Sequence, residues 1–252
     1  HPANFGRLCT KGSNLHLTMG ETARALFPEL RGARSEPRRR VSWDAALGMA
    51  AQRFADLIRR HGPDSVAFYI SGQLLTEDYF AFNKLARALV GTNNIDTNSR
   101  LCMSSAVTGY KLTLGADAPP ACYEDIDQAR CLFIAGSNTA YAHPIVYRRI
   151  EDARARTADL KIVVVDPRRT DTAAGADLHL PILPGTDVAL FNSMLHVMLW
   201  EGLCDLGYVG AHTEGFEALK HAATEYTPRE AGGRCGVPRE DAQMERTYAT
   251  LR

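Results

Sequence analysis

The chain has 252 residues, of which 45% are hydrophobic and 23% charged, with 29 Lys plus Arg balanced by 29 Asp plus Glu. At roughly 150 residues per domain this is one large globular domain or two ordinary ones, which excludes a disordered tail, a collagen-like fibre and a coiled coil. A formal net charge of zero gives no positive field to hold a nucleic-acid backbone or an anionic membrane, so neither is expected as a partner.

The first forty residues carry little periodicity, and residues 31–40 hold five arginines with a glycine and a proline. An irregular lobe ending in a solvated basic hairpin is expected there. Ser42 is a candidate N-cap for a helix from 43 to about 60, with Trp43, Ala46, Leu47, Ala50, Phe54 and Leu57 on one face and His61-Gly62-Pro63 as its stop. Residues 66–70 read as a short strand, Ser71-Gly72-Gln73 as a turn, and 76–89 as a helix capped by Thr76 and closed by Gly91. The polar stretch 92–100 reads as a loop. It leads through Leu101-Cys102-Met103 to a helix over 104–114 stopped by Gly115, which places Cys102 at or just before a helix N-terminus.

The second half is cleaner. Residues 131–135 read as a buried strand, Gly136-Ser137-Asn138 as a turn, 144–156 as a helix and 161–165 as the next strand. This βαβ unit, with the unbroken β-branched run Ile162-Val163-Val164-Val165, predicts an α/β fold with a parallel sheet covered on both faces. Residues 177–182 read as a further strand. Pro184-Gly185-Thr186-Asp187 turns the chain into an apolar helix over 188–200, capped by Thr186 or Asp187, and the tail after Gly232 is weakly patterned. That apolar helix is the most hydrophobic stretch, yet Asn192, Ser193 and His196 interrupt it well short of the roughly 18 residues that span a bilayer. No membrane span is expected.

Three turns follow strand ends: Gly136-Ser137-Asn138, Asp166-Pro167-Arg168-Arg169-Thr170 and Gly185-Thr186-Asp187. In an open parallel sheet such turns converge on the ligand crevice, and their glycines, arginines and carboxylates suit a nucleotide. The GxGxxG fingerprint is absent, and the same residues equally suit plain βα connections with capping residues. Cys102, near a helix N-terminus and Arg100, suits a nucleophile or a soft metal ligand; taken alone, a buried structural thiol is the default reading. Cys9 sits in the glycine-bracketed loop Gly6-Arg7-Leu8-Cys9-Thr10-Lys11-Gly12, suited to a cluster ligand, although one cysteine cannot hold a cluster. Cys131 and Cys204 are assigned to core packing. The six cysteines show no CxxC pairing, and a reduced, cytoplasmic setting fits them. The chain opens on His1-Pro2 without a basic-then-apolar leader, so further sequence upstream is expected.

In this order HPANFGRLCTKG, SGQLLTEDY, NSRLCMSSAV, GSNTAYAHP, VVDPRRT and LPGTDVAL resemble the assimilatory nitrate reductases, catalytic subunits of the molybdopterin-guanine-dinucleotide oxidoreductases. The similarity runs from His1 to about residue 220. It implies a Rossmann-like dinucleotide-binding domain with a small irregular N-terminal cluster lobe, divided as follows: 1–40 the end of the iron–sulfur lobe, 41–98 part of a first α/β domain, 99–252 most of a second. Cys9 resembles the last of four ligands of a [4Fe–4S] cluster, and Lys11 the lysine between that cluster and a pterin. Cys102 resembles the thiolate that binds molybdenum, and Gln73 and Asn98 match positions beside the bis(molybdopterin guanine dinucleotide) cofactor. Gly136, Ser137 and Asn138, then Asp166, Pro167, Arg168, Arg169 and Thr170, then Gly185, Thr186 and Asp187 match nucleotide-contacting segments.

The activity this resemblance implies is reduction of nitrate to nitrite by oxygen-atom transfer, with electrons from ferredoxin, flavodoxin or an NADH-dependent reductase subunit. Met103 follows the metal-ligand position, where formate dehydrogenases typically have histidine; this favours nitrate over formate. Another thiolate-ligated molybdenum oxidoreductase, such as formate dehydrogenase, is the alternative enzyme. A nucleotide-binding scaffold without metal chemistry is the alternative outside enzymes. The other three cluster cysteines are expected upstream of His1, so the chain reads as an internal segment of a longer catalytic subunit.

Overall fold

The computed structural model describes residues 4–20, 24–118 and 120–237, and their contacts form two units. One comprises residues 15–120; the other joins residues 4–14 to those from 121 onward. The expected boundaries at 40 and 98 do not coincide with this grouping. Thr10–Ser13 make a single turn, α1, in the larger unit.

In the smaller unit Glu29–Leu30 (β1) pairs antiparallel with Arg39–Arg40 (β2), so the arginine-rich segment forms the hairpin expected of it. The Arg40 guanidinium lies 3.1 Å from the centroid of the Phe27 ring. Helix α2 (Trp43–His61) starts where Ser42 Oγ accepts from the Ala45 amide at 3.2 Å, and stops at Gly62, whose φ of 81° suits glycine. β3 (Phe68–Ile70) pairs in parallel with β4 (Ile95–Thr97), Phe68 opposite Ile95. β4 lies inside the stretch read as a loop, because Ile95-Asp96-Thr97 offers no apolar alternation. Polar anchors fix it instead: buried Thr92 donates to Asp64 Oδ1 at 2.8 Å, and Asn94 Nδ2 donates to Asp64 O at 3.1 Å.

Helix α3 (Thr76–Asn83) is capped from Leu75 rather than Thr76, with the Asp78 carboxylate accepting from the Leu75 amide at 3.2 Å. It continues as a π-helical turn, Lys84–Val90, ended by Gly91. α4 (Ser99–Cys102) and α5 (Ser104–Leu114) follow. The apolar face expected on α2 does not pack inward. No α2 residue is buried, and Trp43 is 65% exposed, because two three-residue strands supply no layer to cover a helix of this length. Phe54 does stack on Phe68, ring centroids 6.2 Å apart.

The larger unit adds α6 (Asp125–Gln128), β5 (Cys131–Ala135), α7 (Thr139–Ala142), α8 (Pro144–Arg156), β6 (Lys161–Val165), α9 (Asp171–Ala174) and β7 (Leu178–Leu180). Among the described residues it continues with α10 (Asp187–Trp200), α11 (Leu206–His212), α12 (Phe216–Ala223) and α13 (Pro228–Cys235). The strands lie in the order β5-β6-β7, all parallel. Alternate residues of β6 serve two cores. Val165 packs with Leu180, Ile182, Leu190 and Cys235, whereas Ile162 and Val164 pack with Ile150 and Ala173. α8 and α9 thus cover one face of the sheet, and α10 and α13 the other. Cys235, not Cys131 or Cys204, is the cysteine buried in a core; those two are only half-buried. No helix among the described residues is long and apolar enough to cross a membrane.

Leu190 is wholly buried against β6 and β7. Leu190→Ala should destabilise the larger unit by about 3 kcal/mol in urea unfolding, while Leu219→Ala, at an exposed site on α12, should cost less than about 0.5 kcal/mol.

Candidate functional site

The connections leaving β5, β6 and β7 lie along the carboxyl edge of one parallel sheet, where ligands of such folds are received. After β5, Gly136 has φ 62° and donates its amide to Val165 O at 2.8 Å. The amides of Ser137 and Asn138 have no acceptor among the described residues and present free donors. Thr172 Oγ1, almost fully buried on α9, donates to Asn138 Oδ1 at 3.0 Å and accepts from the Ala140 amide at 2.9 Å. One hydroxyl thus holds the first turn against the helix that follows the second.

After β6, Asp166 is buried and its Oδ1 accepts from the Arg168 amide at 2.8 Å, curling the turn back on itself. The His179 ring donates from Nε2 to Asp166 O at 2.8 Å. Pro167, Arg168 and Arg169 are exposed, and Thr170 caps α9 by accepting from the Ala173 amide at 3.3 Å. After β7, Gly185 has φ 82° and Thr186 occupies the N-cap position of α10. Its hydroxyl donates to Leu183 O at 2.6 Å instead of capping, which leaves the first-turn amides of α10 without a side-chain acceptor. Helix α13 fastens this turn: the Leu183 amide donates to Cys235 O at 2.8 Å, and Cys235 Sγ lies 3.6 Å from Thr186 O. Thr172 and Cys235 act on partners 34 and 49 residues away in sequence, so no local pattern marks them.

Gln73, Asn98 and Cys102 fall in the smaller unit; Cys9, Lys11 and the three edge turns fall in the larger. The turn after β3 is built differently from the turn after β5. Its successive amides are all taken by side chains: Gly72 by Asn98 Oδ1 (2.6 Å), Gln73 by Ser71 Oγ (3.1 Å), Leu74 by Tyr79 Oη (3.3 Å) and Leu75 by Asp78 Oδ2 (3.2 Å). A methyl group on Gly72 would meet Asn98 Oδ1 at 2.6 Å, which explains the glycine. Asn98 also accepts on its carbonyl oxygen from the Cys102 amide at 3.1 Å, joining this turn to α4. Gln73 is exposed. So is Cys102, which removes the buried structural role; it ends α4, two residues before α5 begins. Arg100 pairs with Asp96 at 3.4 Å.

Cys9 is the N-cap residue of α1 and is half-buried. Hydrogen bonding from the backbone at Gly12 and then at Lys11 holds its thiol below the ordinary value, and the Lys11 ammonium adds to this. No group of three or more His, Cys, Asp or Glu side chains suited to a metal ion occurs among the described residues. A cavity of about 630 Å³ opens beside Phe5, Arg7, Tyr123 and α8, and its charges are paired internally. Arg7 meets Asp152 at 2.7 Å, while Asp127 receives both Arg149 and Arg156. The Arg149 hydrogen bond, reinforced by the two guanidinium charges, holds the Asp127 carboxyl below the usual carboxylate range.

The sequence profile described as molybdopterin oxidoreductase matches residues 24–209. The nitrate reductase of Klebsiella oxytoca is 46% identical over 243 residues, which are 95% of this chain and 26% of that protein. The periplasmic nitrate reductase of Desulfovibrio desulfuricans is 42% identical over 261 residues, 99% of this chain and 34% of that protein. The F420-dependent formate dehydrogenase 1 subunit alpha of Methanococcus maripaludis is 38% identical over 240 residues, 95% and 34% respectively. Among solved structures, acetylene hydratase from Pelobacter acetylenicus superposes with a TM-score of 0.79 at 27% identity, over 97% of this chain and 33% of that one. The chain therefore spans about a quarter to a third of the length of these relatives.

Asp127 contributes stability while ionised. With its folded-state value depressed, that contribution is complete above the unfolded carboxyl value of about 3.9 and disappears as pH falls through the folded one. Asp127→Asn should therefore lower the thermal midpoint at pH 7, with the difference from the parent closing below about pH 4 in a calorimetric pH series.

Proposed function

Because the chain belongs to the molybdopterin oxidoreductase family, we propose that it is a segment of the catalytic subunit of a nitrate reductase, which reduces nitrate to nitrite by oxygen-atom transfer. The observation that carries this reading is that the nitrate reductase of Klebsiella oxytoca is 46% identical to this chain, whereas the F420-dependent formate dehydrogenase 1 subunit alpha of Methanococcus maripaludis is 38% identical. Met103, standing where formate-oxidising relatives typically place histidine, supports the same choice.

The family implies a molybdenum–pterin cofactor, and its fit can be judged from the donors present. An exposed thiol at Cys102 suits a soft metal that needs one protein ligand. For a guanine-dinucleotide form of the cofactor, the donors are the free amides of Ser137 and Asn138, the uncapped first turn of α10 beginning at Asp187, and the exposed Arg168 and Arg169. In this reading the buried Asp166 carboxylate and Gly136, Pro167, Thr170, Gly185 and Thr186 shape the pocket, while Gln73 and Asn98 sit beside the pterin. A [4Fe–4S] cluster needs four thiolates, and no metal-binding group accompanies Cys9 among the described residues. The segment alone does not fit a cluster. Cys9 is proposed as one ligand of four, the others lying outside these residues, and residues 1–40 as part of that lobe.

When bound, the molybdenum–pterin group supplies the oxygen-atom transfer. Cys102 gives up the proton on Sγ to become a ligand, the amides of the edge turns and the two arginines offset phosphate charge, and the Lys11 ammonium offsets anionic charge beside Cys9. Nitrate reduction consumes two electrons, so the proposed partner is an electron donor: ferredoxin, flavodoxin or an NADH-dependent reductase subunit. The proposed role is nitrate assimilation in the cytoplasm, where the six cysteines, all free, stay reduced. The periplasmic relative makes the periplasm the alternative, and cell fractionation decides between them.

The test is a full-length enzyme assayed with nitrate and with formate, alongside its Cys102→Ser variant. Expected are nitrate turnover and, in the variant, a fall of about 10- to 100-fold in bound molybdenum and in activity. Formate turnover without nitrate turnover overturns the substrate, and full metal retention in the variant overturns the ligand.

A further inference from the structure

We propose that Tyr79 is a positioning residue that sets where Gln73 and Cys102 stand, acting through the turn that follows β3. The proposal rests on the reading of Cys102 as the molybdenum ligand.

Tyr79 lies half-buried on α3. Its hydroxyl donates to Ser71 O at 2.9 Å and accepts from the Leu74 amide at 3.3 Å. These two bonds span the turn across Gly72 and Gln73 and fix the separation of its ends on a rigid phenol carried by a helix. The turn so held aims the Gly72 amide at Asn98 Oδ1, at 2.6 Å, where a methyl at position 72 would collide. The Asn98 carbonyl in turn accepts from the Cys102 amide at 3.1 Å. A continuous path of hydrogen bonds and peptide units thus runs from Tyr79 to the backbone of Cys102, all within the smaller unit. Tyr79 touches neither thiol nor cofactor in this scheme; it acts only through the turn.

Tyr79→Phe keeps the ring and removes both bonds. The groups it frees, Ser71 O and the Leu74 amide, are not deeply buried and can take water, so the variant should fold. Tyr69→Phe is the control, because Tyr69 is an exposed β3 residue, 70% accessible, on the strand that leads into the same turn.

In the full-length enzyme Tyr79→Phe should retain its molybdenum while the electron paramagnetic resonance spectrum of the Mo(V) state shifts. The kcat for nitrate should fall about tenfold with KM within about twofold. Amide exchange at Gly72, Leu74 and Cys102 should accelerate roughly tenfold, with the rest of the smaller unit unchanged. Tyr69→Phe should match the parent in every measurement. An unshifted spectrum with unchanged exchange at Cys102 overturns the proposal even if activity drops, and so does faster exchange throughout the smaller unit. A parent enzyme without molybdenum overturns the reading of Cys102 and the proposal with it.

Discussion

The arrangement of the sheet edge depends on β6 being covered on both faces. Ile162 and Val164 enter one core and Val165 the other, so a slip of one residue would exchange the two sets and ruin both. Each such side chain contributes about 1.5–3 kcal/mol on burial, against about 1 kcal/mol for a single turn hydrogen bond. Packing therefore sets the register, and the turns follow from it. Val165 O receives the Gly136 amide and Leu180 O receives the Asp166 amide, which ties the first two turns to fixed points on the strands beside them.

The contrast between the turn after β3 and those after β5 and β7 is one of backbone chemistry. After β5 and at the start of α10, amides have no side-chain acceptor among the described residues, and exposed arginines on the β6 turn stand along the same edge. After β3, four successive amides are occupied by side chains of the protein, and the Gln73 side chain is among the exposed groups of this turn. A pyrophosphate suits the first kind of surface, and a contact made by one placed amide side chain suits the second.

The β5–α8–β6 part of the larger unit was legible in its sequence because its signals are local, whereas α13 (Pro228–Cys235) runs into the tail that reads as weakly patterned. Residues 131–135, 144–156 and 161–165 form their elements within the bounds that periodicity predicts, and the three edge turns stand out as glycine, proline and arginine clusters between them. β4 was not legible: it holds one apolar residue in three and is fixed by Asp64 from far upstream. The apolar face of α2 is legible as a face, but a pattern shows only that a side wants covering, and among the described residues no layer covers it. Tyr79, Thr172 and Cys235 escaped notice for a further reason. Their roles lie in hydrogen bonds to backbone groups in other elements, and such bonds leave no spacing rule behind.

The saturated turn after β3 also has a consequence in time. With Gly72, Gln73, Leu74 and Leu75 each already bonded, its ordering is completed during folding, and little freedom remains to be lost when a ligand arrives. The turn after β5 is likewise held, by the Gly136 amide on Val165 O and by Thr172 Oγ1 on Asn138 Oδ1, and among the described residues only its Ser137 and Asn138 amides stay without an acceptor. Each unit thus settles the ordering entropy of its own turn as it folds, whether or not the amides in that turn are already bonded.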